Sequence, residues 1–509
     1  MYQCRVTFLP VLLLAIASLT LANRMAQAQS YTPSLAVSAP QVTQLWDLPQ
    51  AGPPTTDVRL QGSGFDPLTA VDIYFDSTLV TSTTTDSSGS FGNGVVTVAG
   101  PALTHLQVPA SALPGEHTIT AQEHVGQKSA QKSFLVRTDW AQFRFEPHHS
   151  GTNPYENILS ADTAGSLALQ WSYPTPGGVY FSSPAVVNGM VYIGSADNTL
   201  FALNADTGAL VWQFAVGYYV DSSPTIVNGV VYFGVYFYDH NLYALNANTG
   251  TVIWTYQTDS RTSSVAVANG IAYVGSENGV VYALKADTGE LVWSYPIQYS
   301  QINSSPAVAN GIVYFGDYLG NFYALNADTG ALIWKRELSV GGVFSSPAVV
   351  DGVIYVGGGD GNYYALDAST GTQIWVYAVG GDGVVSSPAV TNGVVYFGAP
   401  YGDVLALDAK TGANLWHYTT GDMVWSSPAV ANGVVYIGSQ DSKVYAFDAV
   451  TGSLLWSYAT QQPILSSPAV ANGMVYIGSE DGNMYAFGLP SMKGERKSTS
   501  AMGLSAKPR

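Results

Sequence analysis

Carboxylate side chains recur at one position of a repeated unit, and they are the groups in this sequence best suited to chemistry. They follow one another at intervals of about forty residues. The set comprises Asp197, Asp239, Glu277, Asp317, Asp360, Asp403, Asp441 and Asp481. Converging carboxylates can bind cations or form the acid–base pair of a glycosidase. Because the sequence gives no distances between them, both chemistries stay open beside a plain role of Asp in turns.

Aromatic residues accompany these carboxylates and predict a binding face, since clustered exposed aromatics favour contacts with partners. The stretch from Val235 to His240 departs most from the repeat, and functional loops are expected at such deviations. We therefore predict a protein- or glycan-binding face composed of Tyr218, Tyr219, Tyr236, Phe237, Tyr238, Asp239, Tyr318, Tyr401 and Trp425. The alternative is a solvated rim whose Asp residues serve in turns.

Motifs of catalysis and metal binding are missing from the sequence. No G-x-S-x-G, H-E-x-x-H or phosphate-binding loop occurs. His148 and His149 lack companion ligands, and Lys285, Lys410 and Val450 occupy turn positions where a cation would need oxygen ligands. The single cysteine, Cys4, lies in the first residues of the chain. We predict no catalytic residue, no metal ligand and no bound cofactor.

The net charge and the first residues predict an exported protein. A formal net charge of −17 repels nucleic acid and anionic lipid. Residues 1–28 have the features of a secretory signal, with Arg5 before an apolar run and a cleavage site at Ala26-Gln27-Ala28. An uncleaved anchor is the alternative, and no later segment approaches the roughly 18 apolar residues of a membrane span. We expect a secreted monomer, in the periplasm, at the cell surface or outside the cell.

A repeat that fills the last two thirds of the chain carries the carboxylates and aromatics. Each unit ends in a Trp, and successive Trp residues lie 39 to 42 positions apart. They are Trp171, Trp212, Trp254, Trp293, Trp334, Trp375, Trp416 and Trp456. Units of such regular period cannot bury their faces alone and must stack on one another.

Two turns divide each unit into four strands. Asn-Gly or Asp-Gly pairs, such as Asn188-Gly189, predict type I′ hairpins, and Thr-Gly pairs such as Thr207-Gly208 supply a second turn. Strands that are apolar on both faces must lie between two other sheets, so the units predict a β-propeller. The last unit lacks its Trp strand after Tyr485, and the strand that ends at Trp171 replaces it. We predict eight blades of four antiparallel strands, the N-terminal strand closing the last blade.

The string from Ala202 to Trp212, A-L-N-A-D-T-G-A-L-V-W, resembles the tryptophan-docking motif of PQQ-type β-propellers. The resemblance covers residues 138–490 and implies that the eight Trp residues are structural staples between blades. Quinoprotein dehydrogenases of this family add a vicinal cysteine pair, a catalytic Asp, Ca²⁺ ligands and basic groups around PQQ. This chain lacks that cysteine pair, and its loops are acidic. It is more similar to non-catalytic members, such as the outer-membrane assembly lipoprotein of Gram-negative bacteria.

The remaining residues predict a smaller domain and two flanking segments. Residues 29–56 are rich in Pro, Ser and Thr and predict a linker. Residues 57–137 predict a β-sandwich, with strands at 71–75, 95–98 and 117–121. The stretch from Gln61 to Phe65 resembles bacterial Ig-like domains of the TIG type. Residues 491–509 are basic and lack apolar content, so we expect a disordered tail.

These features predict an all-β, exported, non-enzymatic scaffold protein. An Ig-like domain would precede an eight-bladed propeller whose acidic, aromatic face binds a protein or glycan. The alternative function is that of a PQQ- and Ca²⁺-dependent dehydrogenase.

Overall fold

The computed structural model describes residues 43–92, 104–235, 239–381 and 383–490. Its regular structure is β except for a short helix, α1 (Ala161–Ala164). Within these ranges no helix combines the length and apolar character needed to span a membrane. The predicted signal segment, the predicted strand at 95–98 and the predicted basic tail lie outside the described residues.

The N-terminal domain consists of two sheets around one apolar core. The first contains β1 (Gln44–Leu48), β3 (Asp57–Ser63) and β6 (Thr104–Gln107). The second contains β2 (Ala51–Gly52), β4 (Ala70–Phe75), β5 (Thr78–Thr84), β7 (Gly115–Glu123) and β8 (Ser129–Val136). Inward residues of both sheets, such as Leu60 and Ile73, share the core. The predicted boundary at residue 57 is too late, because β1 pairs with β3 and β2 with β8.

Seven four-stranded antiparallel sheets and one five-stranded sheet follow in the described residues. Before the first come β9 (Thr152–Asn153) and β10 (Ala168–Pro174). Sheet 1 consists of β11 (Ala185–Val187), β12 (Met190–Ser195), β13 (Thr199–Asn204) and β14 (Leu210–Ala215), and sheet 2 of β15 (Thr225–Val227), β16 (Val230–Gly234), β17 (Asn241–Asn246) and β18 (Val252–Gln257). Sheet 3 consists of β19 (Ala266–Ala268), β20 (Ile271–Gly275), β21 (Val280–Lys285) and β22 (Leu291–Pro296), and sheet 4 of β23 (Ala307–Ala309), β24 (Ile312–Gly316), β25 (Asn321–Asn326) and β26 (Leu332–Glu337).

Sheets 5 to 8 continue the same order. Sheet 5 consists of β27 (Ala348–Val350), β28 (Val353–Gly357), β29 (Asn362–Asp367) and β30 (Gln373–Ala378), and sheet 6 of β31 (Ala389–Thr391), β32 (Val394–Gly398), β33 (Asp403–Asp408) and β34 (Asn414–Thr419). Sheet 7 contains β35 (Ala429–Ala431), β36 (Val434–Ser439), β37 (Lys443–Asp448) and β38 (Leu454–Ala459), and sheet 8 contains β39 (Ala469–Ala471), β40 (Met474–Ser479) and β41 (Asn483–Gly488). The short β9 adds to sheet 7 beside β35, and β10 completes sheet 8 beside β41.

The turn residues have the backbone that the sequence predicts. Both residues of the Asn188-Gly189 turn are left-handed, with φ of 54° and 73°. Every equivalent Asn-Gly turn and the Asp351-Gly352 turn share this geometry, which matches the twist of a hairpin. The second turns place a left-handed glycine, such as Gly208 with φ 70°, directly against the Trp ring of the preceding sheet.

The indoles join neighbouring sheets through a shared acceptor. Trp293 Nε1 donates to the carbonyl oxygen of Ala327 in the next sheet at 2.8 Å, and Tyr273 Oη donates to the same oxygen at 3.2 Å. Equivalent bonds, of 2.8 to 3.1 Å, are made by Trp171, Trp212, Trp254, Trp334, Trp375 and Trp416. Trp456 packs instead against Phe487, because sheet 8 lacks the turn that would supply the carbonyl.

The sheets form a closed ring. The innermost strands contact one another in order, and β39 contacts β11. In sheet 8, Ser172 lies opposite Tyr485, so the N-terminal strand closes this sheet as predicted. The β-propeller fold predicted from the repeats is therefore confirmed.

A segment between the two domains lies against all eight sheets, and we call residues 138–153 the hub segment. Its backbone or side chains make hydrogen bonds to the central residue of every innermost strand. These residues are Val186, Ile226, Val267, Val308, Val349, Val390, Val430 and Val470. The hub segment thus holds the inner edges of the ring together.

Candidate binding site at the loop face

One face of the ring is formed by the loops that lead into the Ser-Ser pairs and the loops between the second and third strands; we call it the loop face. A cavity of about 370 Å³ opens there within the ring. Every sheet contributes the second serine of its Ser-Ser pair: Ser183, Ser223, Ser264, Ser305, Ser346, Ser387, Ser427 and Ser467. Phe143 of the hub segment also lines the cavity.

The eight serines form a hydrogen-bonded circle. The backbone N–H of each donates to the hydroxyl of the next, at 2.8 to 3.2 Å, and Ser467 N–H donates to Ser183 Oγ. All eight are more than nine-tenths buried. Each oxygen thus accepts a backbone proton, while no described residue accepts the hydroxyl's own proton.

The residues before the Ser-Ser pairs divide the cavity wall into two arcs. The apolar arc belongs to five successive sheets and comprises Phe344, Val385, Trp425, Leu465 and Phe181. The polar arc belongs to the other three and comprises Asp221, Arg261, Thr262 and Asn303. A bound molecule would therefore meet aromatic and aliphatic groups on one side and hydrogen-bonding groups on the other.

The charges of the polar arc offset each other. Arg261 Nη1 lies 3.3 Å from Glu277 Oε1, outside the lining. Burial raises the pKa of Asp221, and the nearby positive charge of Arg261 opposes that rise. Among the described lining residues, Asp221 is the one carboxylate and Arg261 the one cation. The lining is accordingly close to neutral and offers no second carboxylate for a glycosidase pair.

Two buried basic residues of the hub segment have structural surroundings. The Arg144 guanidinium donates to the carbonyl oxygens of Pro388 and Pro428, and burial lowers its pKa to about 9. Burial likewise lowers the pKa of His149 to about 3, while its Nδ1 lies 3.2 Å from the Pro347 oxygen. A neutral, buried His149 that contacts the Pro347 carbonyl oxygen is part of the packing between the hub segment and sheet 5.

The predicted binding residues separate into two groups. Trp425 lines the cavity, and the exposed Tyr318 packs edge-on against Phe344 with ring centroids 5.5 Å apart. Tyr401, with 69% of its surface exposed, lies on the rim in the loop between β32 and β33. The cavity was not predicted, although Trp425 and Tyr318 belong to it or border it.

Three other predicted residues, Tyr218, Tyr219 and Asp239, lie at the junction of sheets 1 and 2. The rings of Tyr218 and Tyr219 are 4.4 Å apart. Asp239 accepts the N–H of Gly217 at 3.0 Å, so its loop and the tyrosine pair lie together. The predicted contacts at Tyr236, Phe237 and Tyr238 fall outside the described residues.

Most of the recurrent carboxylates are occupied by local bonds. Tyrosine hydroxyls donate to five of them, at 2.5 to 3.0 Å: Asp239, Asp317, Asp360, Asp441 and Asp481. Burial, together with the bond to Asp360, raises the pKa of Tyr364 to about 12. Thr419 donates to Asp403 at 2.5 Å. These bonds fix the loops, which supports a turn role for the carboxylates themselves.

Four residues that line the cavity were not predicted from the sequence: Phe181, Asp221, Arg261 and Phe344. The available signal was the position before each Ser-Ser pair, where side chains vary while the serines recur. Such variation at a fixed place in a repeat marks a surface freed from the packing that keeps the units alike.

The cavity does not fit PQQ, the cofactor of the quinoprotein dehydrogenases that the repeats resemble. PQQ carries three carboxylates and needs cationic partners, whereas Arg261 is already bonded to Glu277. Across the described ranges, no three His, Cys, Asp or Glu side chains are grouped to hold a metal ion. The apolar arc and the serine circle supply no compensating charge.

Comparisons with known proteins agree on the fold. BamB from Moraxella catarrhalis is similar over 63% of this chain and 99% of its own, with 20% identity and a TM-score of 0.55. A europium-containing methanol dehydrogenase is similar over 69% and 98%, with 15% identity and a TM-score of 0.61. A quinohemoprotein alcohol dehydrogenase from Comamonas testosteroni is similar over 73% and 82%, with 16% identity and a TM-score of 0.60.

The family comparison is more specific. No curated protein matches the chain. The model of a PQQ-repeat family, described as outer membrane protein assembly factor BamB, matches residues 161–305, 300–424 and 420–489. These matches span the propeller from α1 to β41. The chain therefore belongs to this PQQ-repeat family of β-propellers.

Proposed function

We propose that the chain is a non-enzymatic binding protein that acts outside the cytoplasm and holds a protein partner on its loop face. The observation that carries the proposal is the exposure of aromatic rings there: Tyr318 is 52% and Tyr401 is 69% exposed. Aromatic residues are enriched at protein interfaces and often dominate their binding energy.

The cavity lining favours binding over quinone chemistry. A dehydrogenase would need cationic groups for PQQ, and the one cation among the described lining residues is paired with Glu277. The description of the matched family, an outer membrane protein assembly factor, supports a protein partner and a place in the cell envelope. The signal-like residues 1–28 support export.

Cross-linking in the native envelope, followed by affinity capture and mass spectrometry, tests this proposal. The double variant Tyr318→Ser/Tyr401→Ser should lose the partner that the wild-type protein enriches. Val450→Ser is the matched control, because Val450 is 82% exposed but lies in the turn between β37 and β38, at the opposite face. Equal capture by all three proteins would refute the assignment of the partner to the loop face.

A further inference from the structure

We propose that the cavity within the ring is a binding site for a neutral saccharide of one or two sugar rings. This inference rests on the proposed binding function and adds a ligand class to it. Ligand pockets commonly enclose about 300–1,000 Å³. At about 370 Å³, this cavity suits a small ligand or the end of a glycan.

The apolar arc suits the flat C–H face of a sugar. Trp425 and Phe344 present aromatic surfaces to the cavity, and Phe181 adds a third ring. Aromatic faces carry partial negative charge and attract the weakly positive hydrogens that a sugar ring presents on one side. Stacking of this kind binds an uncharged, partly apolar molecule without an ion pair.

The polar arc suits the hydroxyl rim of the same molecule. Asn303 offers both donor and acceptor atoms, Asp221 offers acceptors, and Arg261 offers donors. A sugar hydroxyl can donate and accept at once, so it satisfies such a mixed set. The arrangement places the apolar and polar sides of a sugar against matching walls.

The serine circle adds a third set of polar groups. Its hydroxyl oxygens are already hydrogen-bonded by backbone N–H groups, as at Ser387, where the Ser346 N–H lies 2.9 Å away. Among the described residues, none accepts the remaining serine protons, although these side chains are more than nine-tenths buried. These serine hydroxyls line the cavity and can therefore donate to the hydroxyl oxygens of a ligand.

Charge selects a neutral ligand over an acidic one. Asp221 and Arg261 offset each other within the lining, and the chain as a whole carries a formal net charge of −17. An acidic sugar or PQQ would bring carboxylates into a site with no unpaired cation among its described residues. Neutral hexoses and their disaccharides avoid this penalty.

The test is a calorimetric titration of the full mature protein with glucose, galactose, maltose and cellobiose. Glucuronate and PQQ serve as anionic comparators. We expect at least one neutral sugar to bind at millimolar concentrations or below, and the anionic comparators to fail. Trp425→Ala should weaken binding by about fivefold, since a stacking contact is worth about 1 kcal/mol. Asn303→Ala should weaken it as well, through lost hydrogen bonds.

Val450→Ser is the matched control, because Val450 is exposed at the opposite face of the ring, outside the cavity lining, and its replacement should leave sugar affinity unchanged. Unchanged melting temperatures would show that the cavity variants remain folded. The saccharide site is refuted if no neutral sugar binds, or if Trp425→Ala and Asn303→Ala leave the affinity unaltered. Sugar binding without any partner capture would instead remove the proposed function and leave the saccharide site standing.

Discussion

At the scale of single residues, one carbonyl oxygen at each of seven junctions accepts hydrogen bonds from both a Trp and a Tyr of the preceding sheet. The Ala327 oxygen accepts both Trp293 Nε1 and Tyr273 Oη, and the Trp293 ring covers Gly330 of the same turn. Trp, Tyr and Gly recur together because each contacts the same turn of the neighbouring sheet. Because these three residue types recur together in each repeat, the docking motif could be identified from the sequence.

Removing one indole N–H should have a small, measurable cost. Trp293→Phe should lower the free energy of unfolding by about 1 kcal/mol more than Trp456→Phe. Trp456 has no equivalent carbonyl, and the Ala327 oxygen keeps its Tyr273 donor, so no acceptor is left bare. Urea denaturation followed by circular dichroism measures both variants. Equal losses would show that the hydrogen bond contributes nothing beyond ring packing.

His149 should make the propeller sensitive to acid. Burial lowers its pKa to about 3 from the ordinary value of 6.5. Between these values the unfolded chain binds a proton that the folded protein excludes, so stability falls as the pH drops from about 6.5 toward 3. Replacing the imidazole should make the free energy of unfolding depend less on pH in this range.

Thermal melts across this pH range compare His149→Asn with His148→Asn. Asn tolerates the left-handed backbone of residue 149, whose φ is 62°. His148 is partly exposed and lies 2.8 Å from Glu146, so its variant controls for the loss of an imidazole from the hub segment at a site that is not buried. A His149→Asn slope equal to that of the wild type would contradict the assignment.

At the scale of elements, the hub segment connects the inner strands of all eight sheets through hydrogen bonds. It offers hydrogen bonds to the inner strand of each sheet in turn, from Trp140 at Val186 to Asn153 at Val470. Such a segment orders eight sheets with about sixteen residues, because it contacts the inner strand of every sheet. Its tight path requires glycine where the chain passes Arg144.

Gly151→Ala should therefore destabilise the propeller strongly. Gly151 has φ 67°, and an added Cβ would overlap the Arg144 guanidinium and the backbone of Ala389. We expect a loss of about 3 kcal/mol, from backbone strain plus overpacking. Gly229→Ala, with φ 77° and open space around the Cβ, should lose about 1 kcal/mol. Urea denaturation measures the free energy of unfolding of both variants. Similar losses at both sites would show that close packing around Gly151 adds nothing to the cost of its left-handed backbone.

The elements were more predictable than the site. Asn-Gly turns, strands apolar on both faces and the displaced Trp171 strand depend on local chemistry, and the structure confirms their turn geometry and pairing. The cavity wall arises largely from one variable residue before each Ser-Ser pair, and only the contrast with the recurring serines marks that position in the sequence. Most hub contacts join the backbones of residues far apart in sequence, such as His148 and Val349, and backbone hydrogen bonds leave no side-chain signature.

At the scale of the whole molecule, ring closure converts repeated units into one site. The serines come together because β39 contacts β11, and the same closure brings Phe181 and Leu465 to one apolar arc. Repetition supplies the circle of hydroxyls, whereas divergence before each Ser-Ser pair supplies the two unlike walls. The resulting lining is close to neutral, and this supports the proposed binding function over that of a quinone enzyme.

Equilibrium titration of the purified protein with PQQ in the presence of Ca²⁺, followed by an alcohol-dependent dye-reduction assay, tests this claim most directly. The neutral, partly apolar lining predicts no stoichiometric PQQ binding and no dye reduction. Binding of one PQQ for each chain, with dye reduction that depends on added alcohol, would contradict it.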